Sequence, residues 1–518
     1  MNLRGKPPNL QDTDPLEPVP LVRDDSGGGR EIALKVLWAP SEPRRVGHAG
    51  FLGSPDGDIG EEWILGRGDK MEPNRVRFVQ QRPGELTPTE PLRSPAVSAE
   101  AVLITRTEDG FRVKRTGRHR IFVNGVACEE AILSVGGTLL LEQQLLFLCV
   151  ERSRHMPRAL FVPPLIAGPF GEVNKLGMAG ESPLLWELLS RIARVALTRG
   201  PNHVLITGES GTGKELVAKA IHLLSDRAGK PFISKSLTAL AASVIEVLLF
   251  GNRKNFPNPG TPETPGVIGE ADGGVLFLDE IGEVPHEIHA RLLRALDKEG
   301  EYQRVGDLGN RSSNFRMICA TNRPIESLKF DLVARLPLRI EVPSLEARRE
   351  DIPFLLRHLL LELARTNEDI VGRYVEVVDG REEPRMDGFF VDYLVRKRHP
   401  LNVRGLRRSL WEAIERNEHP DRLCATEQMI KELARERASL RPAAPAEEVT
   451  VTAITPPDGT HRGGAGRGDG RALTRDEVMA ALEKNAWRRE ETSRDLGLKD
   501  RYVLRRLIAK FKLERPKR

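Results

Sequence analysis

The stretch HVLITGESGTGKELVAKAIH, residues 203–222, joins a short apolar run, a glycine-rich loop and a segment of helical period. The apolar run is of the kind found in strands buried on both faces. Gly208 to Glu215 fits the phosphate-binding pattern G-x-x-x-x-G-K-[ST], with Glu215 where Ser or Thr is commoner. The glycines of Gly208-Glu209-Ser210-Gly211-Thr212-Gly213-Lys214-Glu215 let backbone N–H groups turn inward around phosphate oxygens, at the positive end of the following helix. Lys214 adds a point charge for the outer phosphates, so ATP is the expected cofactor.

Downstream, GGVLFLDE ends an apolar strand on Asp279 and Glu280. In this position Asp279 is expected to hold Mg²⁺ through water. Glu280 is expected to orient and polarise an attacking water. Two solvated acids capping a strand are common by themselves; the phosphate loop upstream gives them a shared task.

The surrounding chain sorts into segments. Residues 1–30 are rich in Pro, Gly and Asp and read as disordered. From 31 to 152, short β-type runs (EIALKVLW, EEWILGR, EAVLITR, FRVKR, RIFVNG, TLLLEQQLLFLCV) alternate with turns and predict a β-sandwich. Residues 153–172 are a Pro-containing connection. From 173 to 340, LLWELLSRIARVAL has helical period and HVLITG, GVLFLDE and FRMICATN read as buried parallel strands, so an α/β domain is expected. Residues 341–438 are expected to be mainly helical, 439–470 to be a flexible Pro/Ala- then Gly-rich linker, and 471–518 to form a small helical domain.

Composition agrees with several soluble domains: the chain has 518 residues, of which 39% are hydrophobic and 30% charged. No apolar run reaches the length of a membrane span and the N-terminus lacks a signal-peptide pattern, so a cytoplasmic protein without membrane partners is expected. Cys128, Cys149, Cys319 and Cys424 lack metal-ligand spacing and read as reduced thiols. The net charge of +5 is concentrated in residues 484–518, with 13 basic against 5 acidic residues; 66 basic and 69 acidic residues remain elsewhere. A basic tail of this kind suits a phosphate backbone.

Taken together, GESGTGKELVAKAIH, LLFG, ADGGVLFLDEIGEVP, ARLLRALDKEGEYQRVG, ICATNR, DLVARL, EARREDIP and NVRGL make residues 173–438 resemble the AAA+ domain of sigma-54-dependent enhancer-binding activators. The resemblance implies an ATPase that works as a homo-oligomer, from dimer to hexameric ring, with sigma-54 RNA polymerase as partner. It assigns Asn322 as the γ-phosphate sensor, Arg404 as the lid sensor and Arg335 as an arginine finger reaching a neighbouring subunit. Lys329 stands where a second finger arginine is usual. Apart from the family, each basic residue reads as a surface ion pair.

The pattern breaks after LLFG. The family's sigma-54 loop, with signature GAFTGA, should fall at 255–260, where this chain has Asn255-Phe256-Pro257-Asn258-Pro259-Gly260. Proline stiffens that loop and the Thr is lost. Ser236 replaces the Asn that usually holds the catalytic Glu, and Pro-Gly-Asn-Val-Arg-Glu-Leu reads Pro400-Leu401-Asn402-Val403-Arg404-Gly405-Leu406.

EEWILGRGD, SPAVSAEAV and HRIFVNG occur in the order seen in forkhead-associated domains. That resemblance implies phosphothreonine binding, and a phosphoprotein or kinase partner, through Arg67 and Ser98, with charge-assisted hydrogen bonds to phosphate. Ala99 and Ala101 replace the usual Arg and His, His119 takes the peptide-contacting Asn position, and Asn124-Gly125 reads mainly as a turn. A structural or dimer-contact role is the other reading of this domain. LTRDEVMAALEKNAW, ETSRDLGLKD and RYVLRRLIAKFKL resemble a Fis-type helix-turn-helix with Gly497 at its turn. The resemblance implies double-stranded DNA as partner, with the last helix in the major groove, Arg501, Tyr502, Arg505 and Arg506 as base or phosphate contacts and Lys510 and Lys512 as phosphate contacts. Three functions follow: an ATP-dependent activator of sigma-54 transcription, a DNA-binding regulator that uses the ring as a nucleotide-dependent assembly switch without sigma-54, or a phosphothreonine-binding signalling adaptor in which the ATPase and DNA parts are secondary; the first is favoured.

Overall fold

A computed structural model describes residues 30–431 except 54–60, 69–73, 158–163, 199, 201, 239 and 298–299, together with 433 and 484. The chain divides into two compact units, Met1–Pro442 and Ala443–Arg518. The expected 439–470 linker and the recognition-helix residues Arg501, Tyr502, Arg505, Arg506 and Lys510 lie outside the described residues, as does the N-terminal segment 1–29.

Among the described residues, twelve strands build the amino-terminal part: β1 (Arg30–Trp38), β2 (Ala49–Phe51), β3 (Glu62–Leu65), β4 (Arg77–Arg82), β5 (Glu85–Pro88), β6 (Val102–Thr107), β7 (Gly110–Arg115), β8 (Ile121–Val123), β9 (Val126–Cys128), β10 (Glu130–Ser134), β11 (Thr138–Leu141) and β12 (Leu145–Ser153). They form two sheets, ordered β5-β4-β2-β1-β12-β11-β8-β9 and β10-β7-β6-β3, with antiparallel pairing throughout. Side chains alternate across a strand, so one face of each sheet faces the other. Val36, Leu65, Ile104, Phe111, Leu139 and Phe147 belong to that shared core.

TLLLEQQLLFLCV, one run in sequence, is split into β11 and β12 by a tight turn in which Gln143 takes a left-handed φ of 58°. The apolarity of both strands has a second cause. Leu139, Leu141, Leu145 and Phe147 point into the sandwich, while Leu140, Leu146 and Leu148 point the other way, into a core shared with the helical lid. A strand covered on both faces needs apolar residues at every position. Each of those outward leucines is at most 3% exposed, and burial of each is worth about 1.5–3 kcal/mol.

The α/β part contains α1 (Pro164–Ala167), α2 (Pro183–Leu197), β13 (Val204–Thr207), α3 (Lys214–Leu224), β14 (Phe232–Ser236), α4 (Ala242–Phe250), α5 (Gly266–Glu270), β15 (Val275–Asp279), α6 (His286–Leu296), β16 (Glu301–Tyr302), β17 (Arg311–Ser312), β18 (Arg316–Thr321), α7 (Phe330–Ala334) and β19 (Leu338–Glu341). Its main sheet is parallel, ordered β14-β15-β18-β13-β19. Ser182 caps α2 by accepting from Leu185 N–H, and Pro183 opens the helix where no N–H is needed.

The lid comprises α8 (Ile352–Thr366), α9 (Glu368–Val371), β20 (Val375–Val378), β21 (Arg381–Pro384), α10 (Gly388–Arg396) and α11 (Asn402–Arg416). The mainly helical expectation omits the β20–β21 hairpin. Asp379 and Gly380 make its turn with φ values of 50° and 77°, the pair of left-handed residues that a two-residue hairpin favours.

Specific polar contacts fix the sandwich to the lid. The Trp38 indole N–H donates to Met386 O at 3.1 Å, and Thr138 Oγ1 to Asp392 Oδ1 at 2.5 Å. Arg396 donates to Asn124 O at 2.6 Å, and Phe122 meets Phe389 edge-on at 4.9 Å. Glu350, just before α8, faces two buried cations of the sandwich, Arg152 at 3.0 Å and Lys35 at 3.6 Å. No helix among the described residues is long and apolar enough to cross a membrane.

Candidate functional site

Parallel pairing brings three strand ends to one edge. Thr207 of β13 is in register with Thr321 of β18, and Leu278 of β15 with Cys319. Gly208, Asp279-Glu280 and Asn322 therefore follow neighbouring strands at the carboxyl edge of the sheet, where α/β folds place their ligands.

The loop after β13 owes its path to its glycines. Gly213 has φ of 100° and precedes the first residue of α3, Lys214. Gly211 has φ of 77°, and a Cβ there would stand 2.1 Å from Leu401 O. Only glycine lets the loop approach the lid so closely. Lys214 is buried, and its ammonium donates to Gly208 O at 2.9 Å and Glu209 O at 3.2 Å. Thr212 Oγ1 braces the loop by donating to Glu209 O at 2.9 Å.

Glu215 follows Lys214 as the second residue of α3. Its side chain does not join the loop; it is exposed and pairs with Lys219 at 2.8 Å, one helical turn on. A carboxylate is repelled by phosphate and is stabilised in the first turn by its i,i+4 cation. Its backbone N–H remains at the helix N-terminus.

At the opposite wall, Asp279 Oδ1 accepts from Glu280 N–H at 3.1 Å. Glu280 has a left-handed φ of 57°, and its Oε2 accepts from Asn322 N–H at 3.2 Å. Ser236 pairs in register with Asp279, but its hydroxyl meets Thr238 at 3.1 Å, not Glu280. The backbone amide of Asn322 thus holds Glu280, leaving the exposed Asn322 side chain without a bond among the described residues. No group of three or more His, Cys, Asp or Glu side chains converges among the described residues. A divalent ion here would depend on phosphate oxygens and water beside Asp279, which suits Mg²⁺.

The lid closes a third side. Arg404 Nη1 donates to Ser210 Oγ at 3.2 Å, and Val403 N–H to Gly211 O at 3.1 Å. The residue that does most of the joining, Asn402, carries no assigned role in the sequence reading. It is 1% exposed with φ of 50°. Its amide donates to Glu209 Oε2 and Ser210 O, both at 3.0 Å, while its Oδ1 accepts from Leu345 N–H at 2.7 Å. Asn tolerates the left-handed region better than other L-residues, which was the available signal.

Asp351 anchors the entry to α2 in a similar way. Its carboxylate accepts from Glu181 N–H, Ser182 N–H and Ser182 Oγ at 2.8, 2.9 and 2.5 Å. Burial pushes its pKa up to about 6, against the nearby Arg348 cation and those hydrogen bonds.

Arg335 is not brought to this site. It ends α7, is half-exposed, and pairs with Asp297 at 2.8 Å. Lys329 caps the start of the same helix. The 251–264 loop is tied from within: the Asn252 amide donates to Arg253 O, Phe256 O and Pro262 O at 3.0, 3.1 and 2.8 Å. The Phe256 ring lies over Gly306, where a Cβ would come within 2.5 Å of it, and Leu308 nearby is 97% exposed.

On the sandwich, Arg67 N–H donates to Ser98 O at 3.0 Å, so the two residues lie side by side. The exposed Arg67 guanidinium has no partner among the described residues, and buried Arg75 supports both loops by donating to Arg67 O and Ala99 O at 2.8 Å. His119 and Arg118 turn instead onto Ala96 O, at 2.8 and 3.0 Å. Asn124 and Gly125 have φ of 52° and 76°, forming the β8–β9 turn, and the lid's Arg396 sits against it.

A family model described as the sigma-54 interaction domain matches residues 178–344. The transcriptional regulatory protein ZraR of Escherichia coli O157:H7 is 34% identical over 347 residues, which cover 65% of this chain and 70% of that protein. The Nif-specific regulatory protein of Azotobacter vinelandii is 34% identical over 349 residues, 66% of this chain and 60% of that protein. Among solved structures, that of NtrX from Brucella abortus in complex with ADP has 26% identity and a TM-score of 0.43, covering 66% of this chain and 70% of that one. On the extent of the ZraR match, together with the matched domain, the chain belongs to the family of transcriptional regulators built on a sigma-54 interaction domain.

Proposed function

We propose that this chain is an ATP-hydrolysing transcription regulator in which a nucleotide at the Gly208–Lys214 loop drives changes in a homo-oligomeric ring. The observation that carries this reading is the meeting of three elements at one sheet edge: the phosphate loop, the Asp279–Glu280–Asn322 wall, and the lid turn at Asn402–Arg404. Lys214, released from its two carbonyl partners, would take the outer phosphates. Asp279 would hold Mg²⁺ through water, with Glu280 aligning the attacking water. Asn322 and Arg404 would report the state of the phosphates to the ring and to the lid. Arg335 would leave Asp297 to complete the site of a neighbouring subunit, which makes hydrolysis depend on assembly.

In the same reading Arg501, Tyr502, Arg505, Arg506 and Lys510 contact a promoter-upstream DNA site, and Arg67 with Ser98 reads a phosphothreonine. The partner driven by the ring is sigma-54 RNA polymerase. A second reading is favoured by one observation, the 251–264 loop: its sequence departs from GAFTGA, and Asn252 ties it down with three hydrogen bonds. Under that reading the ring is a nucleotide-dependent assembly switch that never touches sigma-54.

The first test is ATP hydrolysis by wild type and Glu280→Gln. Wild type should turn over ATP with a rate per subunit that rises with protein concentration. The variant should still bind nucleotide and lose roughly 10²–10⁴ in rate. Equal rates for the two proteins would remove Glu280 from its role.

A further inference from the structure

A cavity of about 390 Å³ lies where the sandwich, the connection before α2 and the lid meet. Its size is within the roughly 300–1,000 Å³ range of small-molecule sites. Trp38, Val46, Phe170, Phe354 and Met386 give it an apolar wall. Its polar lining is unbalanced, with five arginines against four carboxylates.

The carboxylates are already engaged. Glu172 pairs with Arg357 and Arg381, Glu383 with Arg357, and both Glu376 and Asp421 with Arg385. Two arginines lack a carboxylate within salt-bridge distance among the described residues. Among the described residues, Arg44 donates only to a backbone oxygen, Asp379 O, at 3.3 Å, and the exposed Arg422 side chain makes no hydrogen bond or ion pair. Guanidinium groups of this kind recognise carboxylate or phosphate.

We propose that this cavity binds a small organic anion with an apolar body, its acidic group taken by Arg44 and Arg422 and its body laid against Trp38, Phe170 and Phe354. A neutral ligand would leave Arg44 and Arg422 without an anionic partner inside the cavity. The walls come from both sandwich and lid, so an occupant would hold the two at one spacing. Any effect of that on ATP turnover rests on the nucleotide reading above; binding itself does not.

Calorimetric titration of the full chain without nucleotide separates the two. The probes are 2-naphthoate and decanoate, with neutral 2-naphthalenemethanol as the comparison of like shape. Saturable one-to-one binding of at least one anion is expected, with the alcohol at least tenfold weaker. Arg44→Gln/Arg422→Gln should weaken the anion about tenfold while leaving the thermal midpoint and the alcohol unaffected, since both residues are exposed. Absence of saturation by both anions in the millimolar range would overturn the proposal. So would equal binding of the alcohol, or unchanged anion affinity in the double variant.

Discussion

Asn402→Gly should uncouple the lid from the phosphate loop. Glycine accepts the φ of 50° at this position without steric cost, so the substitution removes the side chain alone. Three hydrogen bonds go with it: to Glu209 Oε2, to Ser210 O and from Leu345 N–H. A neutral buried hydrogen bond is worth about 1 kcal/mol net. The bond to Glu209 is charge-assisted, but that carboxylate is exposed and screened, so about 1 kcal/mol is a fair figure for it as well. The third bond ties Leu345 within the lid's own core, so the two that cross to the loop, about 2 kcal/mol together, correspond to roughly 30-fold in the equilibrium between docked and undocked lid. Amide hydrogen exchange reads it directly. Leu345 N–H loses its acceptor, and Val403 N–H is bonded to Gly211 O across the same junction at 3.1 Å. Both should exchange faster by one to two orders of magnitude, while amides in the centre of β13 keep wild-type protection. Affinity for a fluorescent ADP analogue should fall by no more than the same factor. Wild-type exchange at Leu345 and Val403 in this variant would refute the claim that Asn402 joins lid to loop.

Three further outcomes are expected. Lys35, fully buried against the lid, has its pKa lowered from 10.5 to about 8, chiefly by burial and then by Arg152, with Glu350 opposing. Its charged form is therefore disfavoured in the folded chain, the unfolded chain binds more protons between about pH 8 and 10.5, and stability should rise with pH across that window. Lys35→Met should abolish that rise, worth at most about 3 kcal/mol, in chemical denaturation at stepped pH; an unchanged slope would contradict the burial argument. Arg335→Ala should leave the thermal midpoint unaltered, because its pair with Asp297 is exposed on both sides, yet cut ATP turnover by ~10³. Mixing it with Glu280→Gln should restore part of the activity in hybrid rings, and no restoration would argue against a role in trans. Arg67→Ala should abolish the phosphothreonine-peptide binding that wild type shows by fluorescence anisotropy; undiminished binding in the variant would remove Arg67 from the phosphate contact, and no binding by wild type would leave the sandwich with a structural role.

The phosphate loop and the Asp279–Glu280 strand end were legible because each is local: a glycine pattern or an apolar run fixes the backbone within a few residues. The role of Asn402 was not, since its partners Glu209 and Ser210 lie 193 and 192 positions away and only packing of the lid brings them together. Two missed features did carry local signals. Asp379-Gly380 between VEVV and REEP is a hairpin turn by its residue types alone. The consecutive apolar residues on either side of Glu142-Gln143-Gln144 are more than a one-sided sandwich strand requires, and the surplus residues Leu140, Leu146 and Leu148 are those that meet the lid. Lys35 and Arg152 gave no such sign, because a charge in a strand reads as a solvent-facing position until the opposite face is found to be covered.

The central claim, that ATP turnover here remodels sigma-54 RNA polymerase, is tested most directly by open-complex formation on a sigma-54 promoter carrying this protein's binding site. Wild type with hydrolysable ATP should form open complexes, and Glu280→Gln should form none. ATP hydrolysis by wild type without open complexes would contradict it and leave the assembly-switch reading in its place.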